Sequence, residues 1–264
     1  MGSPPSADAL AATLLDADAR SVPVAPLTDA WPEMTTADAY AVQAHGRELR
    51  LRMGERLVGR KVGLTSAAMQ EMLGVDQPDF GFLTDQMVLP SGSAIHAERL
   101  IAPRVEAEIA FRLARPLGGD ASVEEVLAAT GEVAPALEII DSRIVDWRIR
   151  LADTIADNAS SALVVLGQFV PLADLDLAAI EATLEVGRPD GESDSVTGAG
   201  DAVLGHPARA VAWCAAALQE VAGETIAAGE IVLPGAMARA LPIAPGHVVR
   251  ATFTELGVVE AKVV

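Results

Sequence analysis

The sequence predicts an α+β fold, with a mainly β core that follows an N-terminal helical segment. At 264 residues and 51% apolar content, the chain is long enough to bury a large core. From residue 57 onward the apolar residues fall in short runs separated by Gly and Pro, a pattern typical of strands. Composition changes nowhere sharply enough to divide the chain. We therefore expect one domain over residues 1–264, with a helical segment at 1–56 and the β core at 57–264.

Helices are predicted where capping residues flank an apolar pattern. Thr35 and Asp38 have the spacing of a capping box, and apolar residues then recur at helical intervals to about Gly54. Pro at the first turn and Gly just after the last turn mark another helix, near the C-terminal third. The predicted helices are 9–15, 35–54, 122–130 and 207–222.

Strands are predicted from apolar runs that end at Gly, Pro or charged residues. The predicted strands are 57–64, 105–113, 136–140, 163–166, 184–187, 230–233 and 248–253. Residues 189–200 are rich in Gly and are predicted to form a hairpin turn followed by a loop. They lack the strand-turn-helix context of a phosphate-binding loop, so a nucleotide-binding fold is not supported.

Charge and composition exclude several classes of protein. The 37 acidic residues exceed the 19 Lys and Arg residues and give a net charge of −18, which would repel a nucleic-acid backbone. The sequence shows no secretory signal and no apolar run long enough to span a membrane, so we expect a cytoplasmic protein. A mean hydropathy of +0.32 favours a homo-oligomer. The one cysteine, Cys214, lies in an apolar run and is expected to be a buried structural thiol.

Acidic residues on a predicted strand form the first candidate site. In residues 105–113 the apolar side chains alternate, which places Glu106 and Glu108 together on the opposite face. Two carboxylates crowded on one face repel each other unless one is protonated or a cation lies between them. A solvated strand face is the alternative interpretation of this pair.

Glu138 lies within the otherwise apolar run 135–140, where an unpaired charge would be costly. Arg143 is one candidate partner, but Asp141 is nearer to Arg143 in the sequence and would leave Glu138 without it. Three carboxylates from two strands would make an all-oxygen site suited to Mg²⁺ or Mn²⁺. Zinc is disfavoured, because none of the four histidines is near these glutamates in the sequence.

Lys61 is one of only two lysines among the nineteen basic residues, and it lies between Gly59 and Gly63. An amine in such a place can exchange a proton once burial or a cation lowers its pKa, although a plain salt-bridge lysine is the alternative. Asn158, Ser160 and Ser161 form a polar cluster just before an apolar run. They are interpreted either as a turn before a strand or as hydrogen-bond partners of a substrate carboxylate.

Five motifs together resemble one known family. They are residues 59–66 (GRKVGLTS), 74–81 (GVDQPDFG), 103–110 (PRVEAEIA), 136–143 (ALEIIDSR) and 151–160 (LADTIADNAS). In this order they resemble the hydratase/decarboxylase family of aromatic meta-cleavage pathways, within the fumarylacetoacetate hydrolase superfamily. The resemblance implies a mixed β-roll, a Mg²⁺ or Mn²⁺ site at Glu106, Glu108 and Glu138, acid/base chemistry at Lys61, and a place near the substrate for Asp79.

The segment that contains Asp79 looks more like the hydratases of this family, which implies hydration of 2-hydroxypenta-2,4-dienoate to 4-hydroxy-2-oxopentanoate. Decarboxylation of 4-oxalocrotonate is the first alternative, followed by hydrolysis of an acylpyruvate and a non-catalytic role beside a companion pathway enzyme. One departure concerns the pocket: the family often has Gly-Ala-Leu-Thr where this chain has Gly235-Ala-Met-Ala238. Such a substrate is a small anion, so its approach to this acidic chain would depend on local cations: the metal, Lys61, and Arg60 or Arg104.

Overall fold

The computed structural model describes residues 5–66, 70, 75 and 77–264. The α-helices in this part of the chain are α1 (Ala7–Arg20), α2 (Leu27–Ala30), α3 (Thr36–Arg52), α4 (Val123–Ala129), α5 (Leu151–Ala156) and α6 (Pro207–Ala222). The strands are β1 (Leu57–Gly63), β2 (Asp79–Thr84), β3 (Val88–Pro90), β4 (Ala94–Ile95), β5 (Arg104–Leu113), β6 (Thr130–Ile140), β7 (Ser161–Leu166), β8 (Val170–Pro171), β9 (Glu181–Gly187), β10 (Ser193–Ala199), β11 (Ile231–Leu233), β12 (Leu241–Pro242), β13 (Val248–Phe253) and β14 (Gly257–Val263).

The described strands form a larger and a smaller sheet. The larger has the order β2-β1-β11-β5-β6-β7-β3, with β12 beside β5 and β8 beside β6. The smaller has the order β10-β9-β13-β14-β4, and its strands β13 and β14 lie against β6. The larger sheet is mixed, because β1 runs parallel to β11 whereas β11, β5 and β6 are antiparallel. The predicted α+β fold is confirmed.

Local sequence accounts for the ends of the main helices. The Thr35 hydroxyl accepts the Asp38 main-chain N–H, and the Asp38 carboxylate accepts the Thr35 N–H, so the predicted capping box forms. Helix α6 ends at Gly223, whose φ of +67° is a left-handed conformation that glycine adopts without strain. Within α6, Cys214 is fully buried and burial raises the pKa of its thiol to about 12, which confirms the prediction of a structural cysteine.

The structure adds helices and strands to those predicted from the sequence, and three of the added strands show why they were missed. Residues 193–199 are not a loop but the edge strand β10, which forms a hairpin with β9 despite its small polar side chains. Strand β14 was not predicted, although its alternate residues are buried. Strand β2 was also not predicted, because all six of its residues are buried and the period-two alternation is absent.

The N-terminal helices α1 and α3 form a layer that packs on α5 and reaches β2, the end strand of the larger sheet. Helix α3 contacts both α1 and α5, and the apolar residues between them form a separate core cluster that includes Val42 and Ile155. The side-chain amide of Gln43 is buried in this layer and donates to the carbonyl oxygens of Phe80 and Ile155, both at 2.8 Å. Helix α3 thus holds β2 and α5 in a fixed relation, and those two elements border the candidate site.

No helix in the described residues is long and apolar enough to cross a membrane.

Candidate active site

The register between β5 and β6 brings the three predicted glutamates together. Glu106 lies directly opposite Glu138 in the antiparallel ladder, and Glu108 is one pleat further along the same face of β5. One carboxylate oxygen from each of the three lies within 4.8 Å of the others. Glu108 and Glu138 are fully buried, whereas Glu106 is half-buried. Glu106 and Glu108 therefore do not lie on a solvated strand face, which was the alternative interpretation of the sequence.

The donor groups at this cluster fit a hard dication. Both carboxylate oxygens of Glu138, and one of Glu108, have no hydrogen-bond partner among the described residues, although they are buried. The second oxygen of Glu108 accepts the main-chain N–H of Gly235 at 2.7 Å. Lys61 Nζ is 3.5 Å from Glu138 Oε2, and its single positive charge cannot balance three carboxylates. Buried oxygens in need of a cation, with no histidine or cysteine in the group, match the preference of Mg²⁺ and Mn²⁺.

Glu106 and Glu108 resist ionisation where they lie. Burial, followed by the charge of Glu138, raises the pKa of Glu106 to about 7. The same two causes, with the addition of Glu106, raise the pKa of Glu108 well above its ordinary value. A dication beside them would favour the charged forms of Glu106 and Glu108, so metal binding should release protons.

Lys61 extends from β1 into the cluster and is 3% exposed. Its ammonium donates to the carbonyl oxygen of Ala159 at 2.9 Å. Burial opposes the charge, but the nearby carboxylates, of which Glu138 has the strongest effect, outweigh it and raise the pKa of Lys61. The sequence led us to expect proton exchange once burial or a cation lowers this pKa; burial acts in that direction, and the four surrounding carboxylates act against it.

Asp79 begins β2 and is 1% exposed. A Cβ at Gly63, its partner in β1, would lie 2.3 Å from Asp79 Oδ1 and 3.4 Å from Lys61 Nζ, so glycine leaves room for both groups. Asp79 Oδ1 has no hydrogen-bond partner among the described residues. Burial raises the pKa of Asp79, whereas Lys61 and a hydrogen bond from Thr154 lower it. The rest of motif 74–81 lies partly outside the described residues.

The three predicted substrate-binding residues lie at one turn but have different surroundings. Asn158, Ala159 and Ser160 all have positive φ, between +50° and +56°, which is a strained turn for non-glycine residues. The Asn158 side chain accepts the N–H of Phe82 at 2.8 Å and donates to its carbonyl at 3.0 Å. Ser160 Oγ is 3.3 Å from Thr154 Oγ1. Ser161 Oγ is buried and, unlike the Asn158 and Ser160 side chains, has no hydrogen-bond partner in the described chain.

Arg143 holds this turn at both ends. Its guanidinium donates to Asp157 Oδ1 at 2.5 Å, to the Asp157 carbonyl at 2.6 Å and to the Ser161 carbonyl at 3.1 Å. Asp141, which the sequence suggested as its partner, instead accepts the main-chain N–H groups of Ile101 and Ala102. The predicted Asp141–Arg143 pair is therefore wrong. The conclusion drawn from it still holds, because Arg143 does not pair with Glu138.

Sequence reasoning missed Gly235 and Thr154 as parts of the site. Gly235 has a φ of +117°, and a Cβ there would lie 2.1 Å from Thr65 Oγ1, so only glycine brings this N–H to Glu108. The Gly235-Ala-Met-Ala238 motif was a signal for this position. For Thr154 the signal was its place within motif 151–160. Arg60, one of two arginines suggested to attract substrate, is buried and pairs with Glu224 and Glu230, so its charge is already balanced.

Comparisons with known proteins agree on one family. Residues 36–264 match the family described as fumarylacetoacetate (FAA) hydrolase, C-terminal. A 2-hydroxyhexa-2,4-dienoate hydratase from Comamonas testosteroni is 50% identical, over 84% of each chain. A 2-keto-4-pentenoate hydratase from Paraburkholderia xenovorans is 42% identical, over 98% of this chain and 95% of the relative. A solved 4-oxalocrotonate decarboxylase from Pseudomonas putida G7, complexed with magnesium and adipate, is 37% identical with a TM-score of 0.93, over 98% of this chain and 97% of that chain.

Proposed function

The chain belongs to the fumarylacetoacetate hydrolase family, and from that membership and the geometry of the site we propose that it is a metal-dependent hydro-lyase. Its substrate is 2-hydroxypenta-2,4-dienoate, which it hydrates to 4-hydroxy-2-oxopentanoate. The observation that carries this proposal is the buried group of Glu106, Glu108 and Glu138 with Lys61 beside it. The hydratases are also more similar in sequence, at 42–50% identity, than the decarboxylase at 37%.

Glu106, Glu108 and Glu138 would hold Mg²⁺ or Mn²⁺ through one or more of their unpaired oxygens. A bound dication supplies electron withdrawal from a 2-hydroxy or 2-oxo carboxylate. The N–H of Gly235 fixes the orientation of the Glu108 carboxylate through its hydrogen bond. Strand register therefore orients Glu106 and Glu138, and the main-chain N–H of Gly235 orients Glu108.

Lys61 and Asp79 form the proton-transfer pair in this proposal. Hydration requires a proton on carbon 5, the oxygen of water on carbon 4, and the return of the enol oxygen to a ketone. The Lys61 ammonium lies beside Glu138, and the free oxygen of Asp79 shares the space next to Gly63 with it. Both groups are buried, so a proton on either can reach the substrate without exchange with bulk water.

Ser161 is the residue of the 158–161 turn proposed to bind the substrate carboxylate. Its hydroxyl is buried and has no partner among the described residues, whereas the Asn158 amide is engaged with β2 and the Ser160 hydroxyl is close to Thr154. Asn158 and Ser160 then affect binding indirectly, because they shape the turn. This division of roles refines the sequence prediction, which treated the three residues alike.

A direct assay with freshly generated 2-hydroxypenta-2,4-dienoate tests the proposal. Ultraviolet absorbance of the dienoate should fall when enzyme and Mg²⁺ or Mn²⁺ are present, and NMR should identify 4-hydroxy-2-oxopentanoate. EDTA should abolish turnover and added metal should restore it. The six-carbon dicarboxylate 2-oxo-3-hexenedioate is assayed in parallel. Faster release of carbon dioxide from that compound than hydration of the dienoate would replace the hydratase by the decarboxylase alternative.

An acylpyruvate hydrolase is the less favoured alternative. In this superfamily such a hydrolase requires a base to activate water, usually a His beside a Glu. The structure places no histidine in the carboxylate cluster of the described residues. His96 does pair with Glu98, but both side chains are more than half exposed on a surface turn. Homo-oligomer formation, a cytoplasmic location and association with a companion enzyme stay predictions of the sequence.

Replacing Glu138 with Gln should weaken Mn²⁺ binding by at least tenfold, since the amide retains the shape of the side chain but removes an anionic ligand. Titration calorimetry on the metal-free protein measures this. Glu132→Gln is the matched control, because Glu132 is on the same strand but is only partly buried and pairs with Arg112. Equal Mn²⁺ affinity in the two variants would contradict the assignment of Glu138 as a ligand.

Arg104 is expected to attract the anionic substrate to the mouth of the site. It is exposed, shares a face of β5 with Glu106 and Glu108, and lies over the Trp147 ring at 4.8 Å. No carboxylate is within ion-pair distance of it in the described residues. Arg104→Gln should lower kcat/KM about fivefold at low ionic strength, which corresponds to ~1 kcal/mol, with a smaller loss in high salt. Arg52→Gln, an exposed control on α3 with the same charge change, should leave kcat/KM unaltered. An equal loss at all salt concentrations would show that Arg104 does not act through its field.

A further inference from the structure

The turn at residues 158–160 is strained, and it presents a main-chain carbonyl to Lys61. Asn158, Ala159 and Ser160 have φ values of +56°, +50° and +55°, so three consecutive residues are left-handed although none of them is glycine. A stretch of this kind persists only where surrounding contacts hold it. The Lys61 ammonium donates to the carbonyl oxygen of Ala159, the central residue, at 2.9 Å. The contacts that hold the turn therefore also determine where this ammonium lies.

The side chain of Asn158 binds the turn to the edge of the larger sheet. Its Oδ1 accepts the Phe82 N–H at 2.8 Å, and its Nδ2 donates to the Phe82 carbonyl at 3.0 Å. Strand β2, which contains Phe82, ends the order of the described strands, and a side-chain amide has the same donor and acceptor as a peptide group. Asn158 therefore supplies to Phe82 the two hydrogen bonds that a further strand would supply.

Gly81 leaves the space that the turn occupies. It lies directly opposite Lys61 in the antiparallel pairing of β1 with β2, so a side chain at Gly81 would be on the same face as that of Lys61. A Cβ there would lie 2.6 Å from the Asn158 carbonyl oxygen and 2.8 Å from Asn158 Oδ1. Glycine at this position therefore lets the turn lie across β2 and reach the lysine on the neighbouring strand.

Arg143 holds the ends of the turn rather than its centre. It donates to the carbonyls of Asp157 and Ser161, one residue before the turn and one residue after it. Ser161 also begins β7, which pairs with β6, so its position does not depend on Asn158. Loss of the Asn158 amide should therefore displace the Ala159 carbonyl while Ser161 stays in place.

We propose that Asn158 is a positioning residue for Lys61. Its pairing with Phe82 holds the left-handed turn in place, and the Ala159 carbonyl then directs the Lys61 ammonium toward the candidate metal site. Asn158 acts through this carbonyl and does not touch the reacting atoms. The kinetic consequence rests on the proposed hydration, but the position of Lys61 can be tested without it.

Asn158→Gly tests the pairing separately from the backbone strain. Glycine adopts a left-handed φ freely, so this variant keeps the conformational tolerance of the turn and loses both bonds to Phe82. We expect kcat for 2-hydroxypenta-2,4-dienoate to fall about tenfold to a hundredfold, the usual cost of a misplaced catalytic group. The change in KM should be much smaller, because Ser161 is anchored separately.

Gly81→Ala displaces the turn from the opposite side and leaves Asn158 intact. It should lower kcat in the same way, because the new Cβ overlaps the position of the Asn158 carbonyl. Gly46→Ala is the matched control: Gly46 is on α3, and a Cβ there would contact no other part of the described chain within 4 Å. Thr130→Val is the control for loss of a buried polar contact, since the Thr130 hydroxyl donates to a carbonyl of α4 at the start of β6. Both controls should retain wild-type kcat and KM.

NMR on protein labelled at lysine Cε, without metal or substrate and at one pH, measures the position of Lys61. The chain has only two lysines, so Lys262→Met assigns both signals. The two Hε protons of Lys61 should have distinct shifts in the wild type, because the ammonium is held at the Ala159 carbonyl. In both variants of the turn these shifts should move toward each other, and in both controls they should stay unchanged.

Wild-type kcat in Asn158→Gly would overturn the inference, since asparagine would then serve only to tolerate the left-handed φ. Unchanged Lys61 signals in both variants of the turn would overturn it as well, whatever the kinetics. A raised KM with unchanged kcat would show that Asn158 contacts the substrate instead. Thermal unfolding identifies a variant that does not fold, and the other variant of the turn then decides. Absence of hydration in the wild type would overturn the proposed function alone, and the Lys61 signals would still test the position of the ammonium.

Discussion

Replacing Lys61 with Met is expected to lower kcat by about 10² to 10⁴-fold, the usual contribution of a positioned acid or base. Methionine fills the same space but carries no proton and no charge. Loss of the ammonium also leaves the Ala159 carbonyl and Glu138 without their contacts to it. Stopped-flow absorbance with the dienoate substrate measures the change, and thermal unfolding shows whether the variant is folded.

Controls for Lys61 separate proton transfer from charge. Lys61→Arg keeps the positive charge, but the guanidinium does not give up its proton, so we expect it to remain impaired. Lys262→Met is the matched control, because Lys262 is the other lysine of the chain and is exposed on β14. Wild-type turnover in Lys61→Met would remove Lys61 from the mechanism. Full activity in Lys61→Arg would limit its role to electrostatic stabilisation.

The sequence predicted the acidic cluster from two local patterns. The alternation of one strand crowds Glu106 and Glu108 onto the same face, and Glu138 is a charge in an apolar run. Their convergence depends on the register that places Glu106 opposite Glu138, which no local pattern specifies. The sequence could therefore single out the three carboxylates, but only the fold could bring them together.

Contacts between distant segments were beyond local reasoning. The Lys61 ammonium meets a main-chain carbonyl 98 residues away, and the Asn158 amide pairs with the backbone of Phe82. In each case one partner is a main-chain group, which every residue possesses, so the residue type of that partner carries no signal. The Arg143 assignment failed for a related reason: proximity in the sequence favoured Asp141, whereas the left-handed turn returns Asp157 to the guanidinium.

The same arginine gives the largest expected effect on stability. Arg143→Met removes a buried guanidinium and leaves the Asp157 carboxylate, also buried, without its cation. Breaking a buried pair from one side costs about 3–5 kcal/mol of unfolding free energy. For a chain of this length the melting temperature should fall by about 6–20 °C. Arg148→Met, which removes an exposed pair with Asp29, should cost at most ~1 kcal/mol.

The loss of unfolding free energy in Arg143→Met should depend on pH, because the Asp157 carboxyl is buried. Burial raises the pKa of Asp157 to about 6, even with Arg143 opposing it, and removal of Arg143 should raise it further. A folded-state pKa above the unfolded value means that the native state holds more protons, so stability falls as pH rises. The deficit of Arg143→Met should therefore be smaller near pH 4 and should grow through pH 6 and above.

A second substitution distinguishes the unpaired charge from the lost contacts to the turn. Asp157→Asn in the Arg143→Met background removes the carboxylate charge. The asparagine side-chain oxygen can still accept the main-chain N–H of residue 143. We expect it to recover part of the unfolding free energy at pH 8 and to abolish the pH dependence. Activity should stay low, because the turn that presents the Ala159 carbonyl to Lys61 has lost the guanidinium that held both its ends. Recovery of full activity together with stability would mean that Arg143 supports the fold alone. Recovery of stability without recovery of activity would mean that the turn held by Arg143 is needed for catalysis.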